Sequence, residues 1–152
     1  MTILESDAPF LRAMFIDTFV DTSSDYYKQN IEEWKECSDG WCYKGFLWDT
    51  LKQYQPVSPY FISEILKSKP SDLYVFWDLR SKDYIFIEDY WKYPKHAVIR
   101  FSPAELPDIL ATIPEDAYFF DDSLTWAAIL THEERKPGKR LCFYCGSTNE
   151  VP

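Results

Sequence analysis

A histidine and a glutamate stand side by side near the end of the sequence, where they could act on a substrate. His132 and Glu133 follow the apolar segment 124–131, so they should lie where a strand leaves the core. A histidine in such a place can serve as a general base or contact a partner. In the structural alternative, His132 caps the strand and Glu133 is a solvated rim charge. The pair lacks the HExxH spacing of two metal ligands on one helix, which favours the structural alternative.

Four cysteines form a second set of residues with possible chemistry. Cys142 and Cys145 have the spacing of a zinc knuckle, in which a tight turn aims two thiolates at one metal, and Cys37 with Cys42 could complete a tetrahedral site. The two aromatic residues between Cys142 and Cys145 are typical of a strand instead. We therefore expect reduced cysteines and no metal cofactor, with a zinc-stabilised domain as the alternative.

Charge and aromatic content favour binding over catalysis. The 152 residues carry a formal net charge of -9 together with 6 Trp, 11 Tyr and 11 Phe. The acidic excess repels nucleic acid and attracts basic proteins, and exposed aromatic side chains supply affinity at interfaces. The sequence contains no Gly-rich phosphate loop and no G-x-S-x-G elbow. We expect a binding protein that has no nucleic-acid partner.

The cellular compartment is predicted from the length and position of the apolar segments. The first residues have neither the basic nor the apolar region of a signal peptide, and no segment approaches the roughly 18 apolar residues of a membrane span. The sequence therefore predicts a cytoplasmic protein without a membrane partner.

Hydrophobic residues recur at helical spacing through the first half of the chain. Ser24 and Ser58 are suitable N-caps, and Trp34 shares a helix face with Tyr27 and Ile31. The predicted helices are 7–22, 24–37, 41–54 and 58–69.

From Leu73 onward the hydrophobic period changes to two. The predicted strands are 73–79, 84–88, 97–101, 118–120, 124–131 and 141–144. Turn signals at 80–83 and 136–139 predict hairpins, and Ser102 opens a capping box at the start of one inserted helix. This order predicts an α+β fold over a single domain, 1–152, with the N-terminal helices packed on a mostly antiparallel sheet.

One strand of that sheet carries a tryptophan that we expect in the core. Trp126 shares a strand face with Leu124, Ala128 and Leu130 by the two-residue alternation. The sequence therefore predicts that these four side chains are buried against the helices.

Two segments resemble an uncharacterised family of small bacterial domains. Trp126, followed after four residues by Thr131-His132-Glu133, is similar to a W-x4-T-H-E signature, and Gly45-Phe46-Leu47-Trp48 is similar to a G-x-L-W motif. The likeness covers about residues 34–145. The family has no assigned activity, so the resemblance implies a shared fold and gives no catalytic residue.

Together these features predict a small acidic binding protein, an immunity or inhibitor protein that protects a bacterium from a basic toxin. Complementary charge would speed the encounter, and buried aromatic side chains would supply affinity. The alternatives are a zinc-stabilised domain of unknown role and a hydrolase that uses His132 and Glu133. The candidate partner-binding residues are Asp25, Tyr26, Glu32, Glu33, Asp89, Tyr90, Trp91, Asp121, Asp122, His132 and Glu133.

Overall fold

The computed structural model describes residues 1–147, so the last residues of the predicted domain, 148–152, lie outside the described residues. The strands are β1 (Thr2–Leu4), β2 (Lys35–Cys37), β3 (Gly40–Cys42), β4 (Gln55–Val57), β5 (Leu73–Trp77), β6 (Val98–Phe101), β7 (Ala117–Phe120), β8 (Ala127–Lys136) and β9 (Lys139–Cys145). The helices are α1 (Ala8–Phe19), α2 (Asp25–Tyr27), α3 (Pro59–Lys67) and α4 (Leu106–Thr112). A π-helical turn, Lys28–Glu32, continues α2.

Within residues 1–147, seven strands form one sheet in the order β1-β6-β5-β7-β8-β9-β4, and every neighbouring pair is antiparallel. Strands β2 and β3 form a separate hairpin. The turn between β8 and β9 has Gly138 at φ 78°, the value that a type II turn requires after proline. The predicted α+β fold with a mostly antiparallel sheet is confirmed. No helix among the described residues is long and apolar enough to cross a membrane.

Apolar clusters cover both faces of the central strands. Tyr74 and Phe76 of β5 pack with α1 and with apolar residues of the segment 31–51, on what we call the α1 side. Leu73 and Trp77 of the same strand pack with α3 and α4, on the α3–α4 side. The two-residue alternation of a strand explains this division, and burial of both faces explains why β5 has no polar residue.

The predicted helix over 41–54 is wrong. This segment begins in β3, makes a short 3-10 turn over Leu47–Thr50 and reaches β4. Gly45 packs so closely that a Cβ atom there would clash with the hydroxyl of Tyr26. The predicted helix over 24–37 also ends early, at Glu32, and Trp34 is exposed instead of packed on a helix face.

The predicted strand over 84–88 is wrong as well. Both edges of β5 are occupied, by β6 and by β7, so the segment that follows β5 has no free edge to pair with there. Residues 78–97 form a long irregular connection to β6. Connections of this length without regular structure are uncommon in compact domains and are often functional.

Trp126 is buried as predicted, with 2% of its surface exposed, and it lies on the α3–α4 side with Ala128 and Leu130. Leu124 does not share that face. It has a positive φ of 52° in the turn before β8 and packs on the α1 side, so the strand alternation does not extend back to it.

We expect Trp126→Ala to lower the free energy of unfolding by about 3–5 kcal/mol, because it removes a large aromatic side chain from the core. Trp34→Ala is the matched control at an exposed tryptophan, and it should cost less than about 1 kcal/mol. Denaturant unfolding monitored by circular dichroism measures both. Equal losses would contradict the burial of Trp126.

Candidate functional site

Two exposed tryptophans lie together on the hairpin β2–β3. Glu36 pairs with Trp41 across the hairpin, and Trp34 lies two residues before Glu36, so the three side chains share one face. The rings of Trp34 and Trp41 are 6.1 Å apart between centroids, and the two residues are 53% and 38% exposed. We call Trp34, Glu36 and Trp41 the outer face of the hairpin. Exposed paired tryptophans are the type of side chain that dominates binding energy at interfaces.

Acidic side chains are frequent in the segment that leads into the hairpin. The segment 17–36 holds six acidic residues and two lysines. The acidic residues are Asp17, Asp21, Asp25, Glu32, Glu33 and Glu36. All except the half-buried Asp21 are exposed. Among the salt bridges of the described residues, one involves this group, between Glu33 and Lys44 at 3.4 Å. Negative charge around aromatic anchors fits a basic partner.

The hairpin is fixed to the protein through its turn. Asp39 accepts hydrogen bonds from the hydroxyl of Ser81 at 2.6 Å and from the backbone N–H of Lys82 at 3.0 Å. Asp83 accepts from the backbone N–H of Ser38 at 2.9 Å and from its hydroxyl. These bonds join the hairpin to the connection 78–97, so the outer face is held in a defined orientation.

Arg12 of α1 fixes that connection in turn. Its guanidinium donates to the carbonyl of Trp77 at 3.1 Å and to that of Ala97 at 3.3 Å, the residues that flank the connection. The pKa of Arg12 is lowered, since burial outweighs the nearby Tyr43 and Asp78. The buried guanidinium of Arg12 therefore holds the two ends of the connection together from inside the core.

A hydrogen-bonded His–Asp pair lies where the start of β7 meets β8. Asp116 directly precedes β7, and Ala117 pairs with Leu130 of β8, which brings Asp116 next to His132. Nδ1 of His132 lies 3.0 Å from both carboxylate oxygens of Asp116. The backbone N–H of His132 and Nε1 of Trp48 donate to the same carboxylate at 3.0 and 3.1 Å. This arrangement fixes the imidazole and leaves Nε2 for a ligand.

The imidazole is packed between the core and a shallow groove. Its ring lies 4.9 Å from that of Phe46, and the guanidinium of Arg80 covers Phe46 at 3.9 Å. The side chain of His132 remains 38% exposed. The groove has a volume of about 290 Å³, and its lining residues are Phe46, Arg80, Ile85, Ile87, Tyr90, Glu115, Asp116 and His132. No Ser, Thr or Cys is among them, so the His–Asp pair could activate a water but has no aliphatic hydroxyl or thiol nucleophile beside it.

The predicted site residues fall into separate regions. Glu32 and Glu33 directly precede the hairpin, Asp25 begins α2, and the hydroxyl of Tyr26 donates to Asp49 at 3.0 Å. Tyr90 meets His132 in the groove. The structure therefore does not form one site from all of the candidates.

Two candidates are largely withdrawn from the surface, and a third lies apart from the groove. Asp121 is only 7% exposed, and its carboxylate accepts from Nε1 of Trp126 at 2.8 Å and from Ser123, so it stabilises the core. Trp91 is half-buried on the α3–α4 side. Glu133 is exposed in β8 but is not among the residues that line the groove of His132, so among the described residues no contact joins the two residues of the hydrolase alternative.

Two other candidates remain accessible in places of their own. Asp89 lies in the connection 78–97 and is exposed, and Asp122 lies in the turn before β8 and is exposed too. Within the described part of the chain, neither residue forms a hydrogen bond or salt bridge with the outer face of the hairpin.

Four exposed or site-forming residues were not among the predicted site residues: Trp34, Trp41, Asp116 and Phe86. Phe86 is 90% exposed in the connection 78–97. The consecutive apolar residues of the segment 85–87, flanked by charges, could have indicated an exposed apolar loop. Nothing in the sequence near Asp116 indicates its bond to His132, because that contact depends on the register of β7 and β8.

The four cysteines do not come together. Cys142 lies on the α3–α4 side of β9 and Cys145 on the α1 side, so their side chains point to opposite faces and cannot hold one metal. No group of three or more His, Cys, Asp or Glu residues in the described part of the chain could bind a metal ion. Cys37 and Cys42 are in contact, with 2.9 Å between their sulfur atoms.

The surface charge is not uniformly acidic. The ends of β8 and β9 form an exposed arm, and a groove of about 540 Å³ lies between this arm and the segment 56–59. Its basic lining residues are Arg135, Lys136, Lys139 and Arg140. The charge of this arm is therefore opposite to that of the acidic segment 17–36.

Comparisons with protein-family models, with curated proteins and with solved structures found no match to this chain. The resemblance to a family of small bacterial domains stays a prediction, and the function has to be inferred from the geometry.

A buried carboxyl group connects these surfaces to the core. Asp78 accepts from the hydroxyl of Tyr118 at 2.8 Å and from the backbone N–H of Leu47 at 3.1 Å. Burial raises the pKa of Asp78 to about 7, and Asp116 adds to this effect, while Arg80 and the two hydrogen bonds oppose it. The hydroxyl of Tyr118 in turn accepts from the backbone N–H of Trp48 at 3.0 Å.

We expect Asp78 to make the protein less stable as the pH rises from about 4 to about 7. The pKa of Asp78 is about 7 in the folded protein against an ordinary value of 3.8. The unfolded chain therefore loses this proton first, and unfolding is favoured by up to about 1.4 kcal/mol per pH unit within that window. Below the window both states hold the proton, and above it neither does.

Asp78→Asn cannot titrate, so its free energy of unfolding relative to the wild type should rise through this window and level off above about pH 7. Urea unfolding between pH 4 and pH 8 measures the difference. Asp122→Asn, at an exposed aspartate, is the control for loss of one carboxylate. A difference for Asp78→Asn that does not vary with pH would rule out the raised pKa.

Proposed function

We propose that this protein binds a basic protein through the outer face of the hairpin β2–β3 and acts in the bacterial cytoplasm as an immunity or inhibitor protein for a basic toxin. The observation that supports it most is the contact between the exposed rings of Trp34 and Trp41, 6.1 Å apart on an acidic surface. Trp is the residue type most enriched among interface hot spots.

The ring of Trp41 is supported from below, and that of Trp34 is the more exposed of the two. Trp41 contacts the rings of Tyr43 and His96 at centroid distances of 5.9 and 5.8 Å. Side chains already held in place lose little freedom on binding, and this preorganisation increases affinity. The ring of Trp34 can therefore insert into a pocket of the partner while the ring of Trp41 supports it.

Charge selects the class of partner. A net charge of -9 attracts basic proteins over a Debye length of about 8 Å at physiological ionic strength. Glu32 and Glu33 lie immediately before Trp34, so favourable charge surrounds the proposed anchor. Inhibition needs no catalytic group in this protein, only a surface that covers the partner's active site.

We expect Trp34→Ala to weaken binding of the partner about 30-fold or more, which corresponds to the roughly 2 kcal/mol of a hot-spot residue. Tyr60→Ala is the matched control, since Tyr60 is an exposed aromatic residue on α3, on the other side of the sheet, and it should change the affinity less than about 3-fold. The partner is isolated by affinity capture from a bacterial lysate and identified, and calorimetry on the purified pair gives the dissociation constants.

The purified complex of this protein with its captured partner also tests the electrostatic part of the proposal. The association rate should fall as salt rises, and Glu32→Lys with Glu33→Lys should lower it further while the fold is retained. The captured protein should also lose its toxic activity when bound. An acidic partner, a rate that is indifferent to salt, or equal losses for Trp34→Ala and Tyr60→Ala would contradict the proposal.

A hydrolytic function is the second candidate, and the bond between Asp116 and His132 favours it. The carboxylate orients the imidazole as it does in general-base catalysis, and His132 lines an open groove. If this is so, His132→Gln should abolish turnover of p-nitrophenyl acetate or bis(p-nitrophenyl) phosphate, and Glu133→Gln should leave it unchanged. A turnover that both variants retain would exclude catalysis by His132.

A further inference from the structure

Cys37 and Cys42 face each other on the inner face of the hairpin β2–β3. Lys35 pairs with Cys42 and Cys37 pairs with Gly40, so the two cysteines are diagonal neighbours on one face, opposite to Trp34 and Trp41. Their sulfur atoms are 2.9 Å apart. A disulfide bond is about 2.05 Å long, so the sulfurs need to approach by less than about 1 Å.

We propose that Cys37 and Cys42 are a site of reversible thiol–disulfide exchange that takes low-molecular-weight disulfides of the glutathione class as its oxidant. Cys37 is half-buried and Cys42 is buried, which makes Cys37 the thiol that an external disulfide reaches first. Cys42 is then held in contact with the sulfur that it must attack.

The surroundings of the pair suit this order of events. Burial, together with Cys37, raises the pKa of Cys42 to about 11, and Lys95 and Arg80 oppose that effect. Cys42 therefore stays a thiol until Cys37 has reacted. Once Cys37 carries a mixed disulfide, its own effect on the pKa of Cys42 is removed; burial still raises that pKa, while Lys95 and Arg80 still lower it.

The exchange balances without any other reactant. The thiolate of Cys37 attacks one sulfur of the small disulfide, forms a mixed disulfide and releases one small thiolate. Cys42 gives up its proton to solvent and attacks the sulfur of Cys37, which releases the second small thiolate. The protein has been oxidised by two electrons and the small disulfide reduced by two, and the two protons from the cysteines are taken up by the released thiolates. An excess of small thiol reverses both steps.

The other two cysteines provide an internal comparison. Cys142 and Cys145 are buried and point to opposite faces of β9, so they cannot form a bond with each other. Burial raises the pKa of both thiols, that of Cys145 to about 12. A buried thiol with a raised pKa and no second thiol in contact is inert toward exchange.

A disulfide at this site would stiffen the surface that carries Trp34 and Trp41, because it joins the two strands from the inner face. This consequence rests on the proposed function, whereas formation of the bond does not. In a reducing cytoplasm the dithiol is the resting form, and a disulfide there is transient and signals oxidation.

Peptide mass analysis of the full chain tests the proposal. The folded protein is incubated with oxidised glutathione, denatured, alkylated with iodoacetamide and cleaved with trypsin. Cys37 and Cys42 share the peptide 36–44, and Cys142 and Cys145 share the peptide that begins at Leu141. We expect peptide 36–44 to lose both alkylation sites and two hydrogen atoms, while the other peptide stays doubly alkylated. Treatment with dithiothreitol should restore both sites.

Variants separate the two steps. Cys42→Ser should stop at a glutathione adduct on Cys37, Cys37→Ser should give neither adduct nor disulfide, and Cys142→Ser should behave as the wild type. A wild-type peptide 36–44 that remains doubly alkylated, or that keeps a glutathione adduct, would overturn the proposal. None of these outcomes depends on a binding partner, so failure here and failure of the proposed function are told apart.

Discussion

The α1 side of the sheet is covered largely by irregular backbone, and buried polar side chains supply the hydrogen bonds that regular structure would otherwise provide. Asp78 and Tyr118 bind the backbone N–H groups of Leu47 and Trp48. Arg80 donates to the carbonyls of Tyr43, at 3.1 Å, and Gly45. A buried N–H or carbonyl without a partner costs about 1–3 kcal/mol, so these contacts are a condition for the segment to pack at all.

This polar layer also positions both candidate surfaces. Arg12 joins α1 to the two ends of the connection 78–97, and that connection carries Ser81 and Asp83, which hold the turn of the hairpin. Trp48, whose backbone is fixed by Tyr118, binds Asp116 through its indole and so supports the partner of His132. The hairpin and the His–Asp pair are therefore attached to the same buried network, and strain introduced there is expected to reach both.

Local signals made much of the fold predictable. The helix over 7–22 has a proline in its first turn, and the helix after Ser58 has a capping serine that accepts from the backbone N–H of Phe61. Both have apolar residues at helical spacing, and the structure has α1 and α3 there. The helix over 41–54 had apolar residues at helical spacing too. What excludes it is distant in sequence: the capture of two backbone N–H groups by Asp78 and Tyr118, and the close approach of Tyr26 to Gly45.

The candidate surfaces were predictable by residue type more than by arrangement. The sequence singled out Glu32 and Glu33 as charges for a basic partner, but it assigned Trp34 to a helix face. Trp34 is exposed because the π-helical turn ends at Glu32 and an extended strand begins at Lys35, a change of backbone that no strong breaker residue announces. Likewise His132 was identified, but the bond to Asp116 follows from strand register, which the sequence specifies only through the whole sheet.

The hairpin β2–β3 shows how one register can separate two kinds of chemistry. Side chains alternate along each strand, so pairing Glu36 with Trp41 sends the tryptophans outward and at the same time sends Cys37 and Cys42 inward. A shift of one residue would exchange the two faces, exposing the thiols and burying the rings. Gly40, at φ 102°, ends the turn in a conformation that other residues rarely adopt, and the bonds from Asp39 and Asp83 hold that turn in place. The short turn 38–40 therefore determines which face of the hairpin a partner meets and whether the two sulfur atoms can meet each other.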